Sequence, residues 1–530
     1  MISWSSRKVW GSGMATVLAG SMLLAGCGNS NSNNASSSSV SPTAASTASS
    51  KASSAAAVDP VELSIFVDMP WWPFKDWTGP VPEEITKRTG VKLKVTVATD
   101  DKQLPLMIAS GNLPDLVFTS NQATRMSDPK LSLPWNDLIK QYAPDFQIDQ
   151  QKIALNTADD GSFYTIKGAF STQEMWDKYP LAAGIGPGLI VRKDMLEQLG
   201  NPSIKSLADL EKVLGMAKDK FPNMIPLVMN PAGWLNTYFA SQLGAATDGL
   251  VEQDGKLVSY LRQPQLLNTY QYINELYRKG YVTAENFAYK DEQQAKELAL
   301  SGKAFAYEWT TSGADTFNAQ LKGQGQNFEY VQITDNIEPT AVRYQNTAGW
   351  ASTFISKETK HPAEAIKLMQ YLMSEEGDQL AKWGLKDQDW SWNDKGYVDF
   401  KYDKDNPDVQ KQMGIYYWAD LVGEAVYEGL FYYVPDSQTS NAQAAINEVT
   451  KRNPVLDLVK PAPDSQEQVI LTNVSNMIKN EETRIYLAKS AEEAQSAYNN
   501  MIAQADKIGL SKYEAWANKK YGEVQTRFQK

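Results

Sequence analysis

Cysteine and histidine are almost missing from this sequence: its 530 residues contain one of each. That excludes disulfides within the chain, Cys/His zinc sites, Cys-His nucleophiles and nearly every Ser-His-Asp triad. Basic charge is also short, with 51 Lys+Arg against 62 Asp+Glu and a formal charge of −11. With no basic run, nucleic acid is not an expected partner. There is no Gly-rich Lys-Ser/Thr phosphate loop, and past the N-terminal stretch no segment is long and apolar enough to span a bilayer. Rings are plentiful instead, with 15 Trp and 25 Tyr. Any chemistry must come from carboxylates, amides, hydroxyls and flat aromatic faces. Hydrophobic residues at 42% and charged residues at 21% describe a globular chain, and its length predicts two or more lobes.

Arg7-Lys8 precede an apolar stretch through Met14, Val17, Leu18, Met22, Leu23 and Leu24. It is short and interrupted by Gly and Ser, which suits a signal sequence better than a membrane anchor. It ends in Leu24-Ala25-Gly26-Cys27, which resembles a bacterial lipoprotein cleavage box. The resemblance implies removal of residues 1–26 and a lipid on Cys27, holding an acidic protein outside the cytoplasmic membrane of a bacterium, expected to be Gram-positive. Residues 27–58 are expected to form a flexible linker. From Gly28 to Val58, 26 of 31 residues are Ser, Asn, Ala or Thr. Such a coil reaches roughly 30 Å.

Val61, Leu63, Ile65 and Val67 alternate with other residues, as do Val91, Leu93, Val95 and Val97, the period of strands. Helical patterns over Pro82–Arg88 and Lys102–Ser110 separate them from each other and from the apolar run Asp115–Phe118. Strand, helix, strand, helix, strand predicts a parallel sheet, whose ligands sit at the carboxyl ends of the strands. That points to Asp68–Trp77 and Thr119–Asn121. Ser206-Leu207-Ala208-Asp209 predicts a capped helix. From Gln410 onward the chain is mostly helical in pattern.

Four stretches are similar to the bacterial extracellular solute-binding proteins of the sugar-binding kind, with the larger alginate-oligosaccharide-binding branch nearest in length. They are Ala109–Val117, Ile190–Leu196, Leu298–Ala306 with Trp309, and Ile355–Lys357 followed by Pro362–Ile366 and Ser374–Gly377. The resemblance implies an α/β, two-lobed periplasmic-binding-protein type II (Venus flytrap) fold with a helix-rich C-terminal lobe. By analogy, 59–168 plus 309–349 form the N-terminal lobe and 185–307 plus 351–530 the C-terminal lobe. The crossings fall near 163–189, 304–309 and 347–353. Relatives in this branch carry an Asp/Asn/Gly calcium loop before an Ile-Pro strand. Here Lys220–Pro226 offers no cluster of oxygen ligands, and Asp403–Asp408 lacks the Gly and Glu of an EF-hand loop, with Asp408 and Gly414 in their places. No metal and no cofactor is expected.

A pyranose presents an apolar C–H face and a rim of hydroxyls, so indoles and carboxylates together suit it. Trp71, Trp72 and Trp77 stand on a Pro-stiffened loop at the expected cleft edge, with a plug sealing the sheet as the alternative. Asn121 follows the third strand. Resemblance adds Glu308 with Trp309 at a crossing, Trp234 on a loop of the second lobe, Trp350 beside the third crossing, and Trp390 and Trp392 in a later loop. Asp115 is a further candidate, with a turn-capping role as the alternative.

The resemblance implies the receptor subunit of an ABC importer, expected to be a monomer, which takes a carbohydrate (an oligosaccharide from the Trp content and length) to permeases served by a separate ATPase. The alternative from another class is a surface glycoside hydrolase or polysaccharide lyase, since hydrolases need only two carboxylates. A sensor or adhesion lipoprotein binding the same sugar is a third.

Overall fold

In the first sheet, Val61–Val67 and Val91–Val97 pair in parallel from Val61 opposite Val91 to Val67 opposite Val97. The helix between them, Pro80–Thr89, begins with a proline whose missing N–H would have had no helical partner. It ends on Gly90, whose φ of 71° turns its N–H back to the Thr86 carbonyl. After the Gln103–Ser110 helix, Leu116–Thr119 joins the other side of the first strand in parallel. All four of its residues are buried, as a central strand requires. The computed structural model describes residues 59–230, 237–289, 292–462 and 465–528. The expected signal sequence and linker, Cys27 and Trp234 lie outside the described residues.

A fourth strand, Ser352–Ile355, closes this sheet antiparallel to Leu116–Thr119. Behind it lies one core, in which Leu63, Ile65, Leu116 and Phe118 meet Ile366, Leu368 and Met369 of the Pro362–Met373 helix.

The second sheet has the order Ile225–Met229, Ala304–Thr310, Pro187–Arg192, Tyr330–Gln332. The first two are parallel and the remaining neighbours antiparallel. Ser206 caps the Leu207–Lys220 helix as expected, its Oγ accepting the Asp209 N–H at 3.0 Å while Asp209 Oδ2 accepts the Lys205 N–H at 3.1 Å. The long helices Gln466–Tyr486, Ala491–Ile508 and Leu510–Phe528 pack onto this side through Val474, Ile478, Met501, Ala517 and Tyr521. The architecture is the mixed α/β, two-lobed one expected.

Two segments are placed otherwise than the expected lobe boundaries. Residues 309–349 were expected with the first lobe, yet Tyr330–Gln332 lies in the second sheet. The Gly313–Gly323 helix folds back because Phe317 and Leu321 pack with Ile190, Val228 and Tyr307. The strand Ala304–Thr310 therefore stays within the second sheet, and no crossing occurs at 304–309. Conversely, residues from 351 were expected with the second lobe, but Ser352–Ile355 and the Pro362–Met373 helix join the first core. The chain returns to the second core later, with Leu456 and Val459. A third, mainly aromatic core holds Trp176, Tyr179, Trp383, Trp390, Tyr416, Tyr427 and Phe431.

Candidate functional site

The parallel strands Val61–Val67 and Leu116–Thr119 finish side by side, with Val67 opposite Phe118. The next groups are Asp68 and Thr119, both buried. The Asp68 N–H donates to the Phe118 carbonyl at 2.8 Å, and Thr119 Oγ1 donates to Asp68 Oδ2 at 2.7 Å. Asp68 Oδ1 has no hydrogen-bond partner among the described residues. Burial raises the pKa of this carboxyl; the Thr119 hydroxyl pulls it down, and Asp101 adds to the rise. The carboxyl edge of the sheet thus carries an acceptor with spare capacity.

Aromatic rings gather on the loop that follows Asp68 and around Phe118. Trp71 is 56% exposed and Trp350 40% exposed, and their ring centroids are 5.8 Å apart. Tyr417 lies 6.1 Å from Trp71, and Phe118 meets Trp350 edge-on at 5.9 Å. Trp350 is held by its N–H to the Gly168 carbonyl at 3.0 Å. Gly349 makes that approach possible: its φ is 122°, and a Cβ there would stand 2.7 Å from the same carbonyl oxygen. Two exposed indoles 5.8 Å apart offer a polyhydroxylated ring an apolar platform.

The other expected residues divide. Asn121 is exposed just beyond the third strand. Trp77 is half-buried, its Nε1 donating to Thr86 Oγ1 at 2.9 Å and its ring 4.8 Å from Trp418. Trp72 is 1% exposed, wedged among Phe118, Tyr417 and Trp418, and acts as the plug that was the alternative for this loop. Asp115 sits at the opposite end of its strand, accepting from the Ser64 N–H at 2.8 Å, Ser64 Oγ and Thr359 Oγ1 at 2.7 Å. It ties the start of its strand to Ser64 of the neighbouring strand and to Thr359. Burial would raise its pKa, but the Ser64 and Thr359 hydrogen bonds outweigh that and lower it.

In the second sheet, Glu308 is fully buried, so it does not reach the surface expected of it. Its carboxyl accepts the backbone N–H groups of Asn230 and Tyr238, both at 3.2 Å. Burial holds its pKa well above the carboxylate range despite those two bonds. Trp309 is half-buried, with Nε1 3.3 Å from Glu292 Oε2 and Lys296 Nζ 4.5 Å from a ring centroid. Trp390 is buried in the aromatic core, its Nε1 donating to the Gly384 carbonyl at 2.8 Å. Trp392 is half-buried and stacked on Tyr179 at 5.8 Å with a 7° angle between planes.

Residues from segments joining the two sheets line a cavity of about 100 Å³ that includes Ser171, Gln173, Trp176, Gln345, Thr347 and Arg452. The Arg452 guanidinium lies 4.6 Å over Trp176. Burial lowers the pKa of nearby Arg343 to about 10, with the charge of Arg452 adding to the effect. None of these residues was singled out from sequence, because they come from three segments far apart in the chain. Asp68 did carry a signal, as the first residue after the first strand. Among the described residues, no three His, Cys, Asp or Glu are grouped to hold a metal ion.

Two α/β lobes, with ligand-type groups at the carboxyl edge of one sheet and beside the joining segments, define a two-lobed binding protein. The family model for bacterial extracellular solute-binding proteins matches residues 72–379, more than half of the chain, and the chain belongs to that family. No curated protein sequence matches it. Solved structures with the same fold include the alginate-binding protein AlgQ2 without calcium ion, at 18% identity and a TM-score of 0.61, covering 88% of this chain and 99% of that one. A solute-binding protein of Bifidobacterium longum infantis, described as HMO-binding and ABC-transporter-associated, is 16% identical with a TM-score of 0.64, covering 88% and 99%. FusA of S. pneumoniae in complex with kestose is 18% identical with a TM-score of 0.64, covering 88% and 100%. At these identities the likeness establishes the fold.

Proposed function

We propose that this chain is the extracellular substrate-binding lipoprotein of an ABC importer, anchored through Cys27, and that it captures an oligosaccharide between its lobes and passes it unaltered to membrane permeases. The observation that carries the reading is the pair of exposed indoles, Trp71 and Trp350, 5.8 Å apart at the carboxyl edge of the first sheet, the edge at which the buried Asp68 keeps one oxygen without a partner among the described residues. Indoles cover the C–H face of a sugar with little loss of side-chain entropy, and a carboxylate accepts its hydroxyls. A hydroxyl that pairs with Asp68 also confers selectivity, since an analogue lacking it leaves a buried acceptor unsatisfied. Family membership supports the reading, as do the alginate, HMO and kestose of the similar structures. Lobe closure follows if the ligand touches both lobes, because only affinity that differs between open and closed forms shifts that equilibrium.

The test is thermal unfolding of the full chain against a panel of plant and microbial oligosaccharides. A true ligand at a hundred times its Kd adds about 2.7 kcal/mol of stability and is recovered intact. A shift by amino acids or peptides with none from any glycan overturns the carbohydrate reading. Recovery of shortened sugar overturns the non-enzymatic one.

A further inference from the structure

Two of the segments that join the sheets also pair with each other. Arg343–Gln345 runs parallel to Thr450–Arg452, with Gln345 opposite Arg452. Side chains alternate along a strand, so Arg343, Gln345 and Arg452 share one face of this ribbon. Among the described residues, Arg452 is the one charged side chain lining the cavity of about 100 Å³ at the joining segments. The polar remainder of that lining, Ser171, Gln173, Gln345 and Thr347 among it, consists of hydroxyls and amides. Neither guanidinium makes an ion pair among the described residues. Arg343 Nη2 donates to the Ile185 carbonyl at 2.9 Å, and Arg452 Nη2 donates to Asn447 Oδ1. Arg343 Nη1 and Arg452 Nε are buried and have no hydrogen-bond partner among the described residues. Asp177, the acid whose charge reaches Arg452, is exposed and accepts the Gln173 amide at 2.9 Å. Glu424, which accepts the Ser171 hydroxyl, is paired with Lys152.

Two guanidiniums on one face repel each other, and each keeps a buried N–H that nothing accepts. Such an arrangement is costly unless an anion joins it. The cavity also adjoins the tryptophan edge in the chain. Ala169 of its lining follows Gly168, whose carbonyl holds the Trp350 N–H, and Thr347 stands three residues before Trp350. We propose that this cavity is a subsite of the same cleft, and that it receives an anionic group of the guest, a carboxylate or a sulfate ester, on Arg452. The proposal rests on the oligosaccharide reading above and narrows it to acidic glycans. Trp176 holds the Arg452 guanidinium 4.6 Å from its ring centroid, and a flat, stacked fork matches two oxygens of one oxyanion. Arg343 adds charge from the same face. Ser171, Gln345 and Thr347 are left for neighbouring sugar hydroxyls. A volume of about 100 Å³ is below that of whole-ligand pockets and suits a single substituent.

Calorimetric titration of the full chain with matched glycan pairs tests it. The probes are oligogalacturonates, oligomannuronates and sulfated galacto-oligosaccharides, each beside its carboxyl-reduced or desulfated counterpart. The expected result is an acidic member that binds about tenfold or more tighter than its neutral counterpart, with the uronate and sulfate arms telling which oxyanion is taken. Arg452→Gln should bring that acidic glycan to the affinity its neutral counterpart has for the unaltered chain. Equal affinity within the pairs, or binding of neutral glycans alone, would overturn the subsite and leave the oligosaccharide reading standing. No binding by any glycan would overturn both. Sodium sulfate that binds at about 10 mM as well as any acidic glycan would make this a site for a free ion and overturn the assignment to the guest. The matched pairs on the unaltered chain decide the matter even if the variant fails to fold.

Discussion

Trp71 and Trp72 are adjacent in sequence and opposite in role. A surface ring contributes little to stability and much to a ligand that lies on it, whereas a buried indole does the reverse. Trp71→Ala should leave the unfolding midpoint within experimental scatter and weaken glycan binding about tenfold. Trp72→Ala should cost about 3–5 kcal/mol of stability, because Phe118, Tyr417 and Trp418 lose the ring they pack against. Denaturant titration of both variants, with calorimetry against the glycan identified by thermal shift, separates the two roles. Equal stability loss in both would refute the assignment. The sequence placed the aromatic loop at the edge of the sheet; it could not say which ring faces outward, since that depends on Tyr417 and Trp418, more than 300 residues away.

At the scale of elements, Glu308 ties its own strand to Asn230, just past the Ile225–Met229 strand, and to Tyr238 in the Thr237–Gln242 helix. Removing its carboxyl in Glu308→Ala leaves the N–H groups of Asn230 and Tyr238 without an acceptor, at about 1–3 kcal/mol each. Lower stability measured by urea unfolding is expected; a fully stable variant that only loses ligand would restore Glu308 to the binding surface. Asp378, in the first turn of the Glu375–Trp383 helix, holds the Glu424 N–H at 2.6 Å and so joins that helix to a later segment. Burial pushes its pKa up to about 8 from an ordinary 3.8; the Glu424 N–H lowers it and the Glu424 charge raises it. The native state then keeps a proton that the unfolded chain releases between roughly pH 4 and pH 8, so this group makes the fold less stable as pH rises through that window. Asp378→Asn should flatten the pH dependence of stability there, read from urea midpoints at stepped pH. An unchanged slope would count against the raised pKa.

For the whole molecule, the proposed function requires two lobes that draw together on a shared guest. Small-angle scattering of the full chain should show a smaller radius of gyration with saturating ligand than without it. Identical profiles with a ligand proven to bind would mean a single fixed arrangement. Here the lobe assignment matters. With Ser352–Ile355 in the first sheet and Tyr330–Gln332 in the second, the chain must cross between these two strands. A hinge substitution therefore belongs between 333 and 351, and one at 304–309 would test the second sheet instead.

The strands Val61–Val67 and Val91–Val97 and the helices with Pro at one end and Gly at the other were determined by sequence alone, because period and capping are local properties. So was the exclusion of cysteine and histidine chemistry. Which lobe receives Gly313–Gly323 or Pro362–Met373 was decided in three dimensions: an amphipathic helix specifies a face to bury, while the sheet that buries it is chosen by the partners Tyr307 or Leu116 offer. The same holds for the site. A tryptophan's identity fixes its capacity to stack, and only the packing around it leaves Trp71 and Trp350 open to solvent while Trp72 and Trp390 are enclosed.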